Sequence, residues 1–312
     1  MKDNKKTMLT NPFLIAFIAS FCCALWGSAT PFIKMGSELM VPDQAISSTL
    51  LFAGVRFCFS GVMIIFFGSI LKRKMMLPKP CNLGKIIWVS MFQTVIQYVL
   101  FYIGVANTTA VKATLTTGCS SFSAILVATL LFRSEKLTFR KVVACLIGFV
   151  GILLVHFDGL DLTMNFFGDG FVFLATISYG VSASLMKRYS SEENTTVISG
   201  YQFLIGGLIM ALIGLLMGGN IVVSGWISWS ILLYLALVSA VAYSLWSILL
   251  KYNPLSKVAI YGFMTPVFGV IISQCMLTEQ GGVALWRLFS ALALVSVGIF
   301  CLNYSFQKKK QQ

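Results

Sequence analysis

Ten long apolar segments, separated by short polar breaks, limit what this chain can fold into. They lie near 13–35, 45–71, 85–106, 108–132, 140–157, 169–189, 195–218, 228–250, 256–278 and 284–306. A helix rises about 1.5 Å per residue, so roughly 20 apolar residues cross a hydrocarbon core of about 30 Å. Only 11% of the 312 residues are charged and 58% are hydrophobic, whereas a soluble domain carries about 25% charge. The breaks are too short to hold a soluble domain. The expected fold is an all-α integral membrane protein with ten transmembrane helices. The first segment is read as a retained span, because its apolar stretch exceeds a signal-peptide core. Trp26, Thr30, Pro31 and Lys34 also follow where small cleavage-site residues belong.

A formal net charge of +13 would suit nucleic acid if it were spread over one surface. It is not. With the N-terminus placed in the cytoplasm, 19 of the 23 basic residues fall on that side. They sit in the N-terminal tail, in the loops near 72–85, 133–141, 187–188 and 251–257, and in the C-terminal Lys308, Lys309 and Lys310. The remaining four are Lys34, Arg56, Lys112 and Arg287. Basic residues gather on the cytoplasmic flank of membrane proteins. The basic excess therefore reads as topology, with both termini inside, a multi-pass plasma-membrane location and no nucleic-acid partner.

Two functional classes lack the residues they need. Seven of the eight cysteines lie inside spans, with no CxxC or Cys/His spacing, and His156 is the one histidine. No metal site or cofactor is expected, since a lone histidine cannot build a zinc centre. All ten carboxylates lie in loops or at span ends. An enzyme would need a nucleophile and base within reach of each other, so no enzymatic activity is expected.

The chain also repeats itself. "WGSATPFIK" at 26–34 and "YGVSASLMK" at 179–187 both open on an aromatic residue and Gly, with Lys seven residues after that Gly. "VRFCFSG" at 55–61 answers "YQFLIGG" at 201–207, which sets Gln202 opposite Arg56. Asn107 with Lys112 answers Asn253 with Lys257, Glu135 answers Glu279, and Arg140 with Gly151 answers Arg287 with Gly298. The expected units are residues 13–157 and 169–306, flanked by tails at 1–12 and 307–312. Five spans per unit is an odd number, so the second unit enters the membrane from the opposite face. Inverted repeats of this kind are the architecture of many secondary transporters. Small residues such as Gly27, Ser28 and Ala29 allow close helix approach, and Pro31 and Pro266 are expected to disturb spans 1 and 9.

The order of these features resembles the drug/metabolite transporter superfamily, with two EamA-type domains of five helices. The carrying residues are "ALWG" at 24–27, Arg56 in "FAGVRF", "LLFRSEKLTFRKVVACLIGFVGILLV" at 130–155 and "YGFMTPVFGVIISQCMLTE" at 261–279. The first corner reads "RSE", and span 4 has "GCSSF" where the family often has Pro. The resemblance implies a plasma-membrane carrier, usually an exporter of small metabolites, with a central cavity lined mainly by helices 1, 3, 4, 6, 8 and 9.

Polar and aromatic side chains in those spans are the candidate substrate contacts. They are Trp26 and Thr30 in span 1; Gln93, Gln97 and Tyr98 in span 3; Thr117 and Ser121 in span 4; Tyr179 and Ser182 in span 6; Tyr243 and Trp246 in span 8; and Tyr261 and Thr265 in span 9. Glutamine in hydrocarbon is costly unless satisfied, which singles out Gln93 and Gln97. No span interior holds a carboxylate, which weighs against a Glu-based proton-coupled cation exporter. Arg56 is the one charge deep in a span, either a structural contact or an anion site. The expected activity is alternating-access transport of a small neutral or zwitterionic solute, such as an amino acid, in the outward direction. Carriers of phosphorylated sugars or sugar nucleotides, and of organic cations, are the alternatives on the same fold. The substrate's identity and the oligomeric state are left open.

Overall fold

A computed structural model describes residues 8–155, 163–276 and 284–303. Within them run ten helices of 17 to 29 residues. They are α1 (Pro12–Met40), α2 (Ile46–Lys72), α3 (Pro80–Ala106), α4 (Ala110–Leu131), α5 (Phe139–Val155), α6 (Phe166–Tyr189), α7 (Thr195–Leu216), α8 (Gly225–Tyr252), α9 (Leu255–Met276) and α10 (Leu285–Asn303). No strand occurs among the described residues. Eight helices are long and apolar enough to cross a membrane, where the sequence led us to expect ten; α5 and α10 are the shorter two. His156, Asp158, Asp161, Glu279 and both tails lie outside the described residues.

The surface is the inverse of a soluble protein's. Phe13, Leu71 and Trp226 are each more than 80% exposed, while Ser48, Ser60 and Gln202 are fully buried. Apolar side chains around the outside need a lipid solvent, and polar ones inside need partners. This is a multi-pass membrane protein.

Local chemistry explains the helix ends and interruptions. Asn11 caps α1 by accepting from the Phe13 N–H at 2.9 Å. Pro12 occupies a first-turn position, where its missing N–H costs nothing. The expected disturbance at Pro31 is small, and α1 continues unbroken to Met40. Pro31 cannot bond back to the Gly27 carbonyl, and that carbonyl faces Gly269 on α9. In α9 a 3-10 turn at Ile260–Phe263 precedes Pro266, which then sits in the first turn of the following α segment. Helix α4 breaks at Cys119, within "GCSSF", without any proline. Both α3 and α4 contain a π-turn, at Met91–Ile96 and Val127–Leu131.

Helices α2 and α7 pack antiparallel along glycine faces. A Cβ at Gly54 would stand 2.8 Å from the Gly207 carbonyl oxygen, and one at Gly61 would stand 2.7 Å from that of Gly200. Helices α5 and α10 meet in the same manner, Gly151 against Val295 and Gly298 against Gly148. Gly27 of α1 lies on Gly269 of α9, and Gly180 of α6 lies on Ser123 and Ala124 of α4.

Loops meet in two sets. At the basic end, Glu193 accepts from the Lys79 N–H, Glu135 accepts from the Ser256 N–H, and Asn253 donates to the Leu9 carbonyl. At the other end, Thr108 donates to Asp169, Lys112 donates to the Thr163 carbonyl, and Asn220 donates to Ser48.

Candidate functional site

The π-turn of α3 carries Gln93, which is buried. Such turns insert one residue into the helix and recur at functional sites. The Gln93 amide is satisfied on every side it offers to protein. Its Nε2 donates to Gln97 Oε1 and to the Tyr243 hydroxyl, each at 3.2 Å, and its Oε1 accepts from Ser182 Oγ at 2.6 Å. Three helices, α3, α6 and α8, thus meet on one side chain. Next to it in sequence, Thr94 donates to Gln202 Oε1 at 2.9 Å, while Ser90 donates to the Gln202 carbonyl at 2.8 Å.

Aromatic rings surround this polar knot. The Trp26 ring packs edge-on against Tyr243 at 5.1 Å and Trp246 at 5.0 Å. Phe203 bridges Tyr243 at 4.7 Å and Phe57 at 5.1 Å, and Phe57 continues to Tyr98 at 4.6 Å. Helices from both halves of the chain contribute to this row.

A cavity of about 10 Å³ remains at its centre, room for about one water molecule. Gln93, Tyr179, Ala183, Met186, Gln202, Tyr243, Trp246, Ser247 and Leu250 line it. A larger cleft of about 530 Å³ lies at the basic end, between Lys72, Lys79, Glu192, Glu193 and the start of α7. It is a loop-level cleft, and Glu193 there is already engaged by Asn82 and the Lys79 N–H.

Sequence reasoning selected Gln93, Tyr179, Tyr243 and Trp246, and all four line the central cavity. Trp26, Gln97 and Ser182 stand directly behind them, and Tyr98 lies one ring further along the row. The other candidates sit elsewhere. Ser121 packs where Gly262 of α9 passes, and Thr117 is exposed, with its hydroxyl bonded to the Ala113 carbonyl at 2.6 Å. Thr30 is exposed near Gly269. Tyr261 belongs to the buried core, and Thr265 meets the Cys23 thiol. Gln202, Met186, Ser247 and Leu250 were not selected as contacts. Gln202 carried the same signal as Gln93, an amide in an apolar run, but the others carry no sequence mark.

Arg56 on α2 is 3% exposed. Its guanidinium lies 4.5 Å from the centroid of the Phe57 ring and faces the Tyr102 hydroxyl. Among the described residues no carboxylate comes within ion-pair distance of it.

Among the described residues, the ion pairs lie at the ends of the helices. Burial pushes the Glu135 carboxyl up, but Lys141 at 2.8 Å and Ser256 outweigh it and hold the group below its ordinary range. Glu193 is held down in the same way, as the Asn194 and Lys79 N–H groups and the Asn82 amide overcome its burial.

The family model described as "EamA-like transporter family" matches the chain twice, over residues 12–157 and 166–304. The chain belongs to the EamA-like transporter family. Two relatives of this EamA-like protein are themselves named as transporters. "Uncharacterized transporter sll0355" of Synechocystis sp. is 25% identical over 308 residues, covering 90% of each chain. "Uncharacterized transporter YvbV" of Bacillus subtilis is 22% identical over 302 residues, covering 95% of this chain and 93% of its own. A solved crystal structure superposes with a TM-score of 0.73 at 16% identity, over 91% of this chain and 95% of that one. That likeness concerns the fold.

Proposed function

We propose that this protein is an alternating-access carrier that moves a small neutral or zwitterionic metabolite, such as an amino acid, out across the plasma membrane. The reading takes all ten helices as spans, arranged as two inverted five-helix units, 13–157 and 169–306, with both termini in the cytoplasm. One observation carries it: helix contacts recur when the two halves are exchanged. A shift of 146 residues takes Gly54 to Gly200 and Gly61 to Gly207. The Gly54–Gly207 contact thereby becomes the Gly61–Gly200 contact, and both are present. A shift of 147 takes the Gly151–Val295 contact to Gly298–Gly148, again both present. Such a pair of units has two mirror-related arrangements, one open to each side. The two sets of loop contacts agree with the charge-based orientation, since each set joins loops assigned to one side.

The cavity around Gln93 lies where the units meet. At about 10 Å³ it is too small for an amino acid, so on this reading a solute enters only when the surrounding helices separate. Its lining of aromatic rings, amides and hydroxyls, without a carboxylate or lysine, suits an uncharged or internally balanced solute better than a sugar phosphate. Phosphate recognition would gather several lysines or arginines there.

Counterflow into proteoliposomes tests the reading, with labelled neutral amino acids, choline and sugar phosphates as the panel. Accumulation of an amino acid, competed by its relatives, is expected. Accumulation of sugar phosphates alone would overturn the substrate class.

A further inference from the structure

Resting on the carrier reading of this same site, we propose that the protein recognises the carboxylate of its solute, through Arg56 together with Gln202 and Trp26. Among the described residues, Arg56 Nε, Gln202 Nε2 and Trp26 Nε1 are each buried N–H groups without a hydrogen-bond partner. Arg56 and Gln202 are themselves 3% and 0% exposed. An unpaired buried donor is costly, and a cation in a membrane interior more so.

The three donors flank the aromatic row that includes Tyr243. Gln202 shares the cavity wall with Tyr243, Trp26 packs on the Tyr243 ring at 5.1 Å, and Arg56 lies over Phe57, whose ring stacks on Phe203 beside Tyr243. The amide oxygens nearby each take one donor already, and the Tyr102 hydroxyl faces the Arg56 guanidinium. Gln93 Oε1 takes Ser182, Gln97 Oε1 takes Gln93, and Gln202 Oε1 takes Thr94. None of these acceptors bears a negative charge to match the Arg56 guanidinium. A carboxylate supplies two oxygens, and a guanidinium is the side chain whose geometry matches it best. Arg56 and Gln202 also occupy equivalent positions on α2 and α7. One half thus contributes the charged donor and the other its neutral counterpart. The Trp26, Tyr179 and Trp246 rings would lie against the apolar part of the solute. A carboxylate-bearing solute with an apolar or aromatic body, such as phenylalanine, leucine or methionine, fits this arrangement.

The test compares each of these three amino acids with its carboxamide, which keeps the shape and the amino group but loses the negative charge. Binding to purified protein is read by tryptophan fluorescence, and transport separately by counterflow. For the wild type we expect the acids to bind at least about tenfold more tightly than the amides, as for a charged hydrogen bond in a dry site. Arg56→Gln should remove that preference and Arg56→Lys should keep part of it, with Gln202→Leu weakening the acids alone. Equal binding of acids and amides, or no binding of either, overturns the proposal whether or not the variants fold. Acid-selective binding without counterflow would support this site while removing the carrier reading. Counterflow of amides as fast as acids would leave the carrier and remove the carboxylate site.

Discussion

Ser182 on α6 donates its hydroxyl to Gln93 Oε1 on α3 at 2.6 Å, at the centre of the helix bundle. The same hydroxyl lies 2.7 Å from the Tyr179 carbonyl, so it keeps a partner if Gln93 is removed. The converse does not hold, because Gln93 Oε1 has no second donor among the described residues. Ser182→Ala should therefore cost about 1 kcal/mol, within the range for hydrogen bonds inside membrane bundles. Gln93→Leu should cost somewhat more, since it also releases Gln97 and Tyr243. A double-mutant cycle on thermal unfolding in detergent should give a non-additive pair. Strict additivity would mean that the two groups do not bond.

Gln97 is half-buried, and among the described residues its side chain bonds only to Gln93. Gln97→Ala should slow counterflow several-fold while leaving expression intact. Trp246 differs: it is 3% exposed and belongs to the main core. Trp246→Ala should cost about 3–5 kcal/mol and confound any transport measurement. Trp246→Phe keeps most of the volume and is the informative variant. Full counterflow activity in both Gln97→Ala and Trp246→Phe would remove these two from the solute's path.

The glycine contact between α2 and α7 sets how closely the two halves approach. At Gly207 an added Cβ would meet the Cys58 nitrogen at 2.6 Å and the Gly54 oxygen at 2.8 Å, both backbone atoms that cannot step aside. Gly207→Ala should destabilise the protein by about 1–3 kcal/mol. Gly84, in the first helical turns of α3, has nothing within 4 Å of its Cβ position. Gly84→Ala should be neutral or stabilising by up to about 1 kcal/mol. Equal effects at the two positions, measured as melting temperatures, would show that the close approach carries no energetic weight.

Acid should loosen the basic end. The Glu135 carboxyl is held below its ordinary range, net of its burial, by Lys141 and Ser256. An unfolded glutamate titrates near about 4.3. The stability from these contacts is thus present above that value and is lost as pH falls through the lower folded pKa. Glu135→Gln should melt lower than wild type at neutral pH, by about 1–2 kcal/mol for a charged hydrogen bond. The gap should close in acid. A gap that stays constant over the whole pH range would exclude Glu135 as the titrating contact.

Much of the fold was legible because its cause is local. Segment length and apolarity decide where a helix can cross a bilayer, and the lysines and arginines at the segment ends decide which loops share a side. The same holds for Gln93: an amide in hydrocarbon advertises its need for partners whatever those partners are. Pro31 misleads at this level, since its effect depends on what packs beside the freed Gly27 carbonyl, and that is Gly269, 242 residues away in the chain.

The tertiary structure alone decided which of thirteen candidate side chains meet. Helical spacing says which residues share a face, but not which neighbour that face touches. Thr117 and Tyr243 look equally suitable in sequence; the first bonds its own helix, and the second closes the wall around Gln93. Trp26 and Arg56, distant in sequence, likewise come to flank one aromatic row, beside Gln202, only once α1, α2 and α7 are packed. Periodicity and solvent preference act residue by residue and are therefore written in the chain. Donor and acceptor balance is a sum over groups distant in sequence, and it takes a value only when the helices are assembled.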